Sequence, residues 1–319
     1  MINISVILCC YNGKERLRPT LEHLAKQKID AALTWELVFV DNASMDGSAA
    51  FAEALWKEFG AATTFRVVRE AKPGLIFARK AGVDAAKGKY ILFCDDDNWL
   101  KEDYLQIACE LMEQMPEIGA VGGQGIGVAD VELPKQWKYW DGDYACGKIM
   151  EQSGVCDDIR TLFGAGLVVC KESLNRAFAT PLVSVGRDGD KLTGGDDQEI
   201  CYRVMLQGFH LYYDERLVFK HYMPEGRLNE AYHSKMIDGF WAMVPMFEKY
   251  RMAIAAQRNR GIKRYAEWLH RVLAIVKNHG NEKYKQRYRY YLSFAYGCTK
   301  HDNQDMQLIK QYIESLKHE

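Results

Sequence analysis

Three consecutive carboxylates, Asp95-Asp96-Asp97, follow the apolar run Tyr90-Ile91-Leu92-Phe93-Cys94. Alternation along an extended chain puts Asp95 and Asp97 on the same side. Carboxylates this close repel one another and call for a positive partner. A hard divalent cation with oxygen ligands meets that need, and Mg²⁺ takes few carboxylates and shares substrate phosphates. The plainer alternative is a charged turn in which Asp97 or Asn98 caps the next helix. An apolar strand leading straight into the triplet counts against it.

A second acidic group, Gly194-Gly195-Asp196-Asp197-Gln198-Glu199, opens a helical pattern. The helix dipole explains one acid there well and three less well. A carboxylate at that place, close to a metal-bound donor, can deprotonate an incoming hydroxyl. His221 follows the run 217–220. A lone histidine is more often structural or solvated, but an imidazole can also complete an oxygen-rich metal site.

Two glycine-containing segments carry no such chemistry. Gly142-Asp143-Tyr144-Ala145-Cys146-Gly147-Lys148 matches the first part of a phosphate-loop pattern, but Ile149 stands where Ser or Thr would hold magnesium. Gly122-Gly123-Gln124-Gly125-Ile126-Gly127 misses the dinucleotide spacing and follows the fifth strand-like run, not the first.

The elements that must position these residues alternate. Short β-rich runs at 2–8, 35–40, 65–68, 90–94 and 118–122 are separated by helical spacings such as Leu17, Leu21, Leu24 and Phe51, Leu55, Phe59. This alternation predicts an α/β fold, a mainly parallel sheet with helices on both faces. Ligands of such sheets bind outside the carboxyl ends of the strands. The first, second and fourth runs end in Cys10-Tyr11-Asn12, Asp41-Asn42-Ala43-Ser44 and the Asp triplet, so the three clusters are expected to line one crevice. Residues 126–160, with Trp137, Tyr139, Trp140 and Tyr144, read as a loop over the site, the alternative being a surface flap with no role. Compact structure is expected to return at 162–169, in a helix around 198–207 and in a strand at 211–219. From Leu228 the pattern is helical to the end.

The 319 residues, 48% hydrophobic and 27% charged, suit a globular chain able to bury a large core without staples. A formal net charge of -1 gives no global attraction to nucleic acid. Nine cysteines, with no CxxC pair, fit a reducing compartment better than a disulfide or zinc framework. The N-terminus lacks signal-peptide features and no apolar stretch is long enough to span a bilayer. A cytoplasmic location is the expectation.

At this point the motifs resemble those of family 2 glycosyltransferases. Ser5-Val6-Ile7-Leu8-Cys9-Cys10-Tyr11-Asn12 is similar to their opening strand, and Val40-Asp41-Asn42-Ala43-Ser44-Met45-Asp46-Gly47-Ser48 to their second-strand motif. Gly74 to Gly82, with Arg79, followed by Ala86-Lys87-Gly88-Lys89-Tyr90, resembles the segment feeding their DxD strand. Asp95-Asp96-Asp97 stands at the DxD position. Gly194 to Glu199, then Arg203 and Gly208, resembles the acidic base motif, and His221 stands where many members carry a late histidine. The likeness covers roughly residues 2 to 224.

The resemblance implies a GT-A fold, with a Rossmann-like sheet at 1–226 and a C-terminal helical extension at 227–319. Residues 1–125 would form the nucleotide-binding half and 126–226 the acceptor-binding half. It implies an inverting single displacement from a nucleotide-sugar donor, UDP-linked by preference, to a carbohydrate or lipid-linked acceptor. In these terms Tyr11 and Asp41 hold the base, Arg79 lies near the base or phosphates, and Asp95 contacts the ribose. Cys10, Asn12 and Asp96 complete the nucleotide site. Asp97 binds Mn²⁺ or Mg²⁺ with His221 as second ligand, and Asp197 is the general base. Asp196, Gly195 and Trp140 are the expected contacts to acceptor or donor sugar. Asp196 replaces the family's usual Glu. Two rivals are a nucleotidyltransferase, whose glycine-rich basic loop is missing after the first strand, and a non-catalytic nucleotide or sugar binder.

Residues 249–289 hold 12 Lys/Arg against Glu267 and Glu282. Tyr265, Leu269, Val272 and Val276 fall on one apolar face. A helical pair packed on the catalytic domain explains this. Contact with anionic lipid at the inner face of the membrane is the sharper expectation. Nucleic acid is not expected, since no nucleic-acid module is recognisable.

Overall fold

The computed structural model describes residues 2–157, 160–184, 194–259 and 261–317. Among these, nine strands form one sheet: β1 (Ile4–Cys10), β2 (Trp35–Asn42), β3 (Thr64–Glu70), β4 (Tyr90–Asp95), β5 (Asn98–Leu100), β6 (Ile118–Val128), β7 (Gly154–Val155), β8 (Val168–Cys170) and β9 (His210–Tyr222). Their order is β3-β2-β1-β4-β8-β6-β9-β5, with β7 paired to β9. The β3-β2-β1-β4 half is wholly parallel.

Period-two alternation divides the strand side chains between two cores. Val6, Leu8, Leu37, Phe39 and Leu92 face one core. It is closed by α1 (Leu17–Ala25), α2 (Ser48–Glu58) and α4 (Tyr104–Gln114). Ile7, Val38, Val40, Ile91 and Phe93 face the other. Over it lie α3 (Leu75–Ala85), α6 (Lys171–Ala177) and α7 (Asp196–Leu206). The long α8 (Glu230–Arg258) adds Met246, Phe247, Tyr250 and Ile254 to this second core, and α11 (Gln304–Ser315) adds Ile309 and Tyr312. Between them in sequence run α9 (Ile262–Lys277) and α10 (Glu282–Tyr296).

The structure adds detail at three places. The antiparallel β8 lies between β4 and the strand of the 118–122 run, β6, which pairs in parallel with β9. Of the expected compact region 162–169, only Val168 and Val169 are strand, the start of β8. Gly164 and Gly166 bracket a turn there, with Gly166 at φ +73, a region where a side chain is strained. The segment 126–160 is partly ordered: β6 runs on to Val128, and α5 (Trp137–Trp140) and a 3₁₀ turn at Asp141–Tyr144 follow.

Candidate active site

The loops leaving β1 and β2 are laced to each other. The Asn12 amide donates to Ser44 Oγ at 3.0 Å, and the Met45 amide donates to Asn12 Oδ1 at 2.8 Å. Asp41 Oδ1 accepts from the Ser44 amide at 3.0 Å. Asn12 thus acts on the chain around it, in a left-handed conformation at φ 46. Tyr11 projects outward, 55% exposed, with its ring free to meet a flat partner. Cys10 is buried, and burial together with the charge of Asp96 pushes its thiol pKa up, keeping it protonated.

Each carboxylate of the triplet faces a different arginine. Asp96 turns inward and accepts from Arg16 Nε at 3.1 Å and Nη2 at 2.8 Å, a bidentate pair. Gly13 is required beside it, since a Cβ there would fall 1.9 Å from Asp96 Oδ2. Asp95 keeps its side chain 31% exposed, with Arg79 Nη2 at 3.9 Å. Asp97 Oδ2 accepts from Arg227 Nη1 at 3.0 Å. Part of the positive charge that three adjacent acids demand is therefore supplied by the protein. The helix-cap alternative fails: Asn98 opens β5, its Nδ2 donates to Asp97 Oδ1 at 3.1 Å, and the next helix starts at Tyr104.

Antiparallel pairing of β5 with β9 sets His221 opposite Asn98. His221 Nε2 reaches Asp97 Oδ1 at 3.4 Å. Its Nδ1 lies 2.7 Å from the Tyr144 carbonyl, an acceptor, so Nδ1 carries a proton. Burial would lower the His221 pKa, but Asp97 outweighs it and raises the value to about 10. Burial likewise works against the Asp97 carboxylate, yet His221 and Arg227 hold it below the usual carboxylate range.

The three acids at the head of α7 have three destinations. Asp196 Oδ2 accepts from Arg79 Nη1 at 2.7 Å, in a buried pair. Glu199 accepts from the Val183 amide at 2.8 Å, the Ser184 amide at 2.7 Å and Tyr250 Oη at 2.6 Å, and pairs with Arg203 at 3.1 Å. It ties the 183–184 segment and the middle of α8 to the head of α7. Asp197 stays half-buried. Its Oδ2 accepts from the Gly164 amide at 2.9 Å and its Oδ1 from the Gln198 amide at 3.0 Å. Burial and the charge of Asp196 push Asp197 up to about 6, against Arg79 and the two amides. Arg79 thus lies between the end of β4 and the head of α7. Gly195, left-handed at φ +101, starts that helix with Met243 and Phe247 of α8 packed close by.

Trp140 stacks on His233 of α8, ring centroids 4.3 Å apart, and anchors the 137–144 segment to that helix. The same segment supplies the Tyr144 carbonyl to His221. Arg16, Arg227, Gly13 and Gly164 were not singled out in the sequence. Arg227 lies 130 positions from its carboxylate and Arg16 80 positions from its own. The one signal for them was the unbalanced charge of the triplet.

A sheet that turns from parallel to mixed, with acids from two distant segments meeting around a buried arginine at the strand ends, defines a GT-A type α/β protein. The chain belongs to glycosyl transferase family 2, whose profile matches residues 5–174, more than half of it. It is similar to the amylovoran biosynthesis glycosyltransferase AmsB of Erwinia amylovora, at 30% identity over 115 residues, 36% of this chain and 37% of that protein. It is also similar to the glycosyltransferase GlyG of Streptococcus pneumoniae, at 28% over 111 residues, 35% of each. The matched segments span about a third of these relatives. Among solved structures, the S. aureus TarS fragment 1–349 in complex with UDP-GlcNAc superposes with a TM-score of 0.56 at 15% identity, over 99% of this chain and 80% of that one. The mannosyltransferase PcManGT of Pyrobaculum calidifontis, in complex with GDP-Man and Mn²⁺, gives 0.53 at 17%, over 99% and 75%. These likenesses establish the shared fold.

Proposed function

We propose that the protein transfers a sugar from a nucleoside-diphosphate donor to an acceptor hydroxyl by inverting displacement, with Asp197 as general base. The observation that carries this is the placement of Asp197. It is half-buried, pinned by two backbone amides, raised to about 6, and separated from Asp95 by Arg79. A base with a pKa near working pH combines the deprotonated form with enough basicity to accept a proton. Asp197 takes the proton of the acceptor hydroxyl as its oxygen attacks the anomeric carbon, and the nucleoside diphosphate departs from the opposite face. Exposed Tyr11 and the half-buried Asp41 and Asp95 suit the base and ribose of the donor. The acceptor is a carbohydrate or lipid-linked glycan of bacterial-type polysaccharide assembly, at the cytoplasmic face of a membrane.

Mn²⁺ or Mg²⁺ fits the donor set. Asp97 would supply oxygen, and His221 Nε2 would supply nitrogen once it gives up the proton it now shares with Asp97, with the ring oriented by the bond from Nδ1 to the Tyr144 carbonyl. Among the described residues no three His, Cys, Asp or Glu side chains gather as a full cage. A cation held there would leave room for donor phosphate oxygens to share it, the usual habit of Mg²⁺. When bound, the cation stabilises charge developing on the departing diphosphate. UDP-linked donors are favoured.

The test is incubation with a panel of nucleotide sugars and Mn²⁺, reading released nucleoside diphosphate. Turnover of one donor that is lost in Asp97→Ala supports the reading. Pyrophosphate made from a nucleoside triphosphate and a sugar phosphate points to a nucleotidyltransferase instead. Donor binding without turnover, with acceptors present, points to a binder.

A further inference from the structure

The first half of α8 runs from one end of the crevice to the other. Near its start Tyr232 and Met236 pack against Tyr144, Cys146 and Met223, and the Tyr144 carbonyl in turn holds His221. His233 is anchored in the same place, stacked on Trp140 and with its Nε2 2.9 Å from Asp143 Oδ2. Further along, Met243 and Phe247 pack over Gly195, where a Cβ would meet them at 3.3 and 3.4 Å. Gly195 leads directly into Asp196 and Asp197. One anchor of the helix therefore adjoins the proposed cation site and the other the proposed base.

Both anchors lie on one face. At the angular step of a helix, His233, Met236, Phe240, Met243 and Phe247 fall within about 80° of arc. Phe240 is midway along this face, about 10.5 Å in rise from His233 and from Phe247. Its ring meets that of Phe247, centroids 5.6 Å apart, so the face continues past Pro245. Phe240 is nevertheless 42% exposed. Among the described residues, neither Phe240 nor the adjoining Ile237 joins a buried cluster. A half-open aromatic ring thus overlooks the interval between the two groups of the crevice. Trp241 is more exposed, at 64%, but it lies about 100° further round the helix, off the anchored face.

We propose that Phe240 is the stacking surface for the acceptor sugar, covering one face of the ring that carries the attacking hydroxyl. This rests on Asp197 being the base. The acceptor then has to lie between that base and a donor at the cation site, which is the interval Phe240 overlooks. A pyranose suits the place because its faces carry C–H groups while its hydroxyls point outward. An aromatic ring covers the first and leaves the hydroxyls to polar groups such as Asp197. An extended lipid chain does not match it, since the uncommitted apolar stretch holds only Ile237 and Phe240 and is closed at each end by a packed cluster. Trp140, the aromatic expected at the sugar, is taken up by His233.

The experiment is saturation-transfer NMR titration of the full chain, with Mn²⁺ and UDP or GDP present. The probes are methyl glycosides of glucose, galactose and N-acetylglucosamine and their octyl counterparts. Donor hydrolysis, which uses water, is followed as the separate measure of the catalytic reading, and melting temperature as the measure of folding. At least one methyl glycoside is expected to bind, with saturation passing from aromatic protein protons to its ring C–H protons. Phe240→Ala is expected to weaken that binding about tenfold, the order for losing one large apolar contact. Phe240→Trp is expected to keep it. Phe240→Leu, which preserves apolar packing on Phe247 if the smaller residue unsettles α8, is expected to weaken it severalfold. Trp241→Ala is expected to change neither binding nor hydrolysis. Binding of no methyl glycoside, or binding indifferent to Phe240→Ala, overturns the proposal. Equal weakening in Phe240→Ala and Trp241→Ala also overturns it, since that marks a general disturbance of the helix. Octyl glycosides that bind more tightly than methyl ones by a margin lost in Phe240→Ala overturn the sugar assignment and give the ring to the lipid side of the acceptor.

Discussion

Arg79 of α3 and Asp196 of α7, 117 positions apart, form an ion pair at 2.7 Å with side chains only 3% and 5% exposed. The same guanidinium reaches Asp95 at the end of β4. The pair therefore couples the strand that carries the acidic triplet to the helix that carries Asp197. Breaking a buried pair from one side leaves an uncompensated charge, which costs about 3–5 kcal/mol. Arg79→Met is expected to lower stability by that order in urea unfolding. Arg79→Met/Asp196→Leu is expected to recover part of the loss. Equal destabilisation in the single and double variants would show that the pair is not the linkage.

Asp197→Asn keeps the size of the side chain and removes its basicity. Transfer is expected to fall by about 10²-fold or more, the usual order for an acid–base group. Donor affinity, measured by calorimetry, should stay within a few-fold. Unchanged transfer would exclude Asp197 as the base.

With Asp197 as the proposed base, its raised pKa is expected to set the acid limb of the pH profile. Above about 6 the carboxylate is ionised and can accept the acceptor's proton; below it the group is protonated and inactive. The transfer rate is expected to fall about tenfold per pH unit below that point. An acid limb centred near an ordinary aspartate value would contradict the environment described for it.

Arg227 already holds Asp97 Oδ2, so in the proposed metal site it would compete with a divalent cation for that carboxylate. Like charges sharing one carboxylate repel each other by about 1–4 kcal/mol at these separations. Arg227→Ala is therefore expected to bind Mn²⁺ alone about tenfold more tightly in titration calorimetry. Unaltered affinity would place the metal away from Asp97.

Gly13→Ala would drive a methyl into Asp96, 1.9 Å from Oδ2. Overpacking of this kind costs about 1–3 kcal/mol. The substitution is expected to lower the melting temperature and weaken donor binding, both measurable in one thermal-shift series with and without nucleotide. A neutral result would mean that the Arg16–Asp96 pair can move without consequence.

Local pattern carried the fold class and most of the candidate site. Runs of apolar residues ending in polar clusters are read by counting, because a strand's period and a strand's end are properties of adjacent residues. For that reason the ends of β1, β2 and β4 and the acidic head of α7 were legible. The strand at 118–122 was legible as a strand, but its neighbours were not, since pairing is decided by packing between segments far apart in sequence. By residue type and spacing the three acids of α7 looked alike, and only the resemblance told them apart. Their partners came from the folded chain, which sends Asp196 to Arg79 and Glu199 to the Val183 and Ser184 amides and leaves Asp197 half-exposed. Likewise the triplet announced a need for positive charge, and the tertiary structure answered it with Arg16, Arg79 and Arg227. Charge balance is a sum over space, so the sequence determined that partners were required, and the fold alone decided which residues they are.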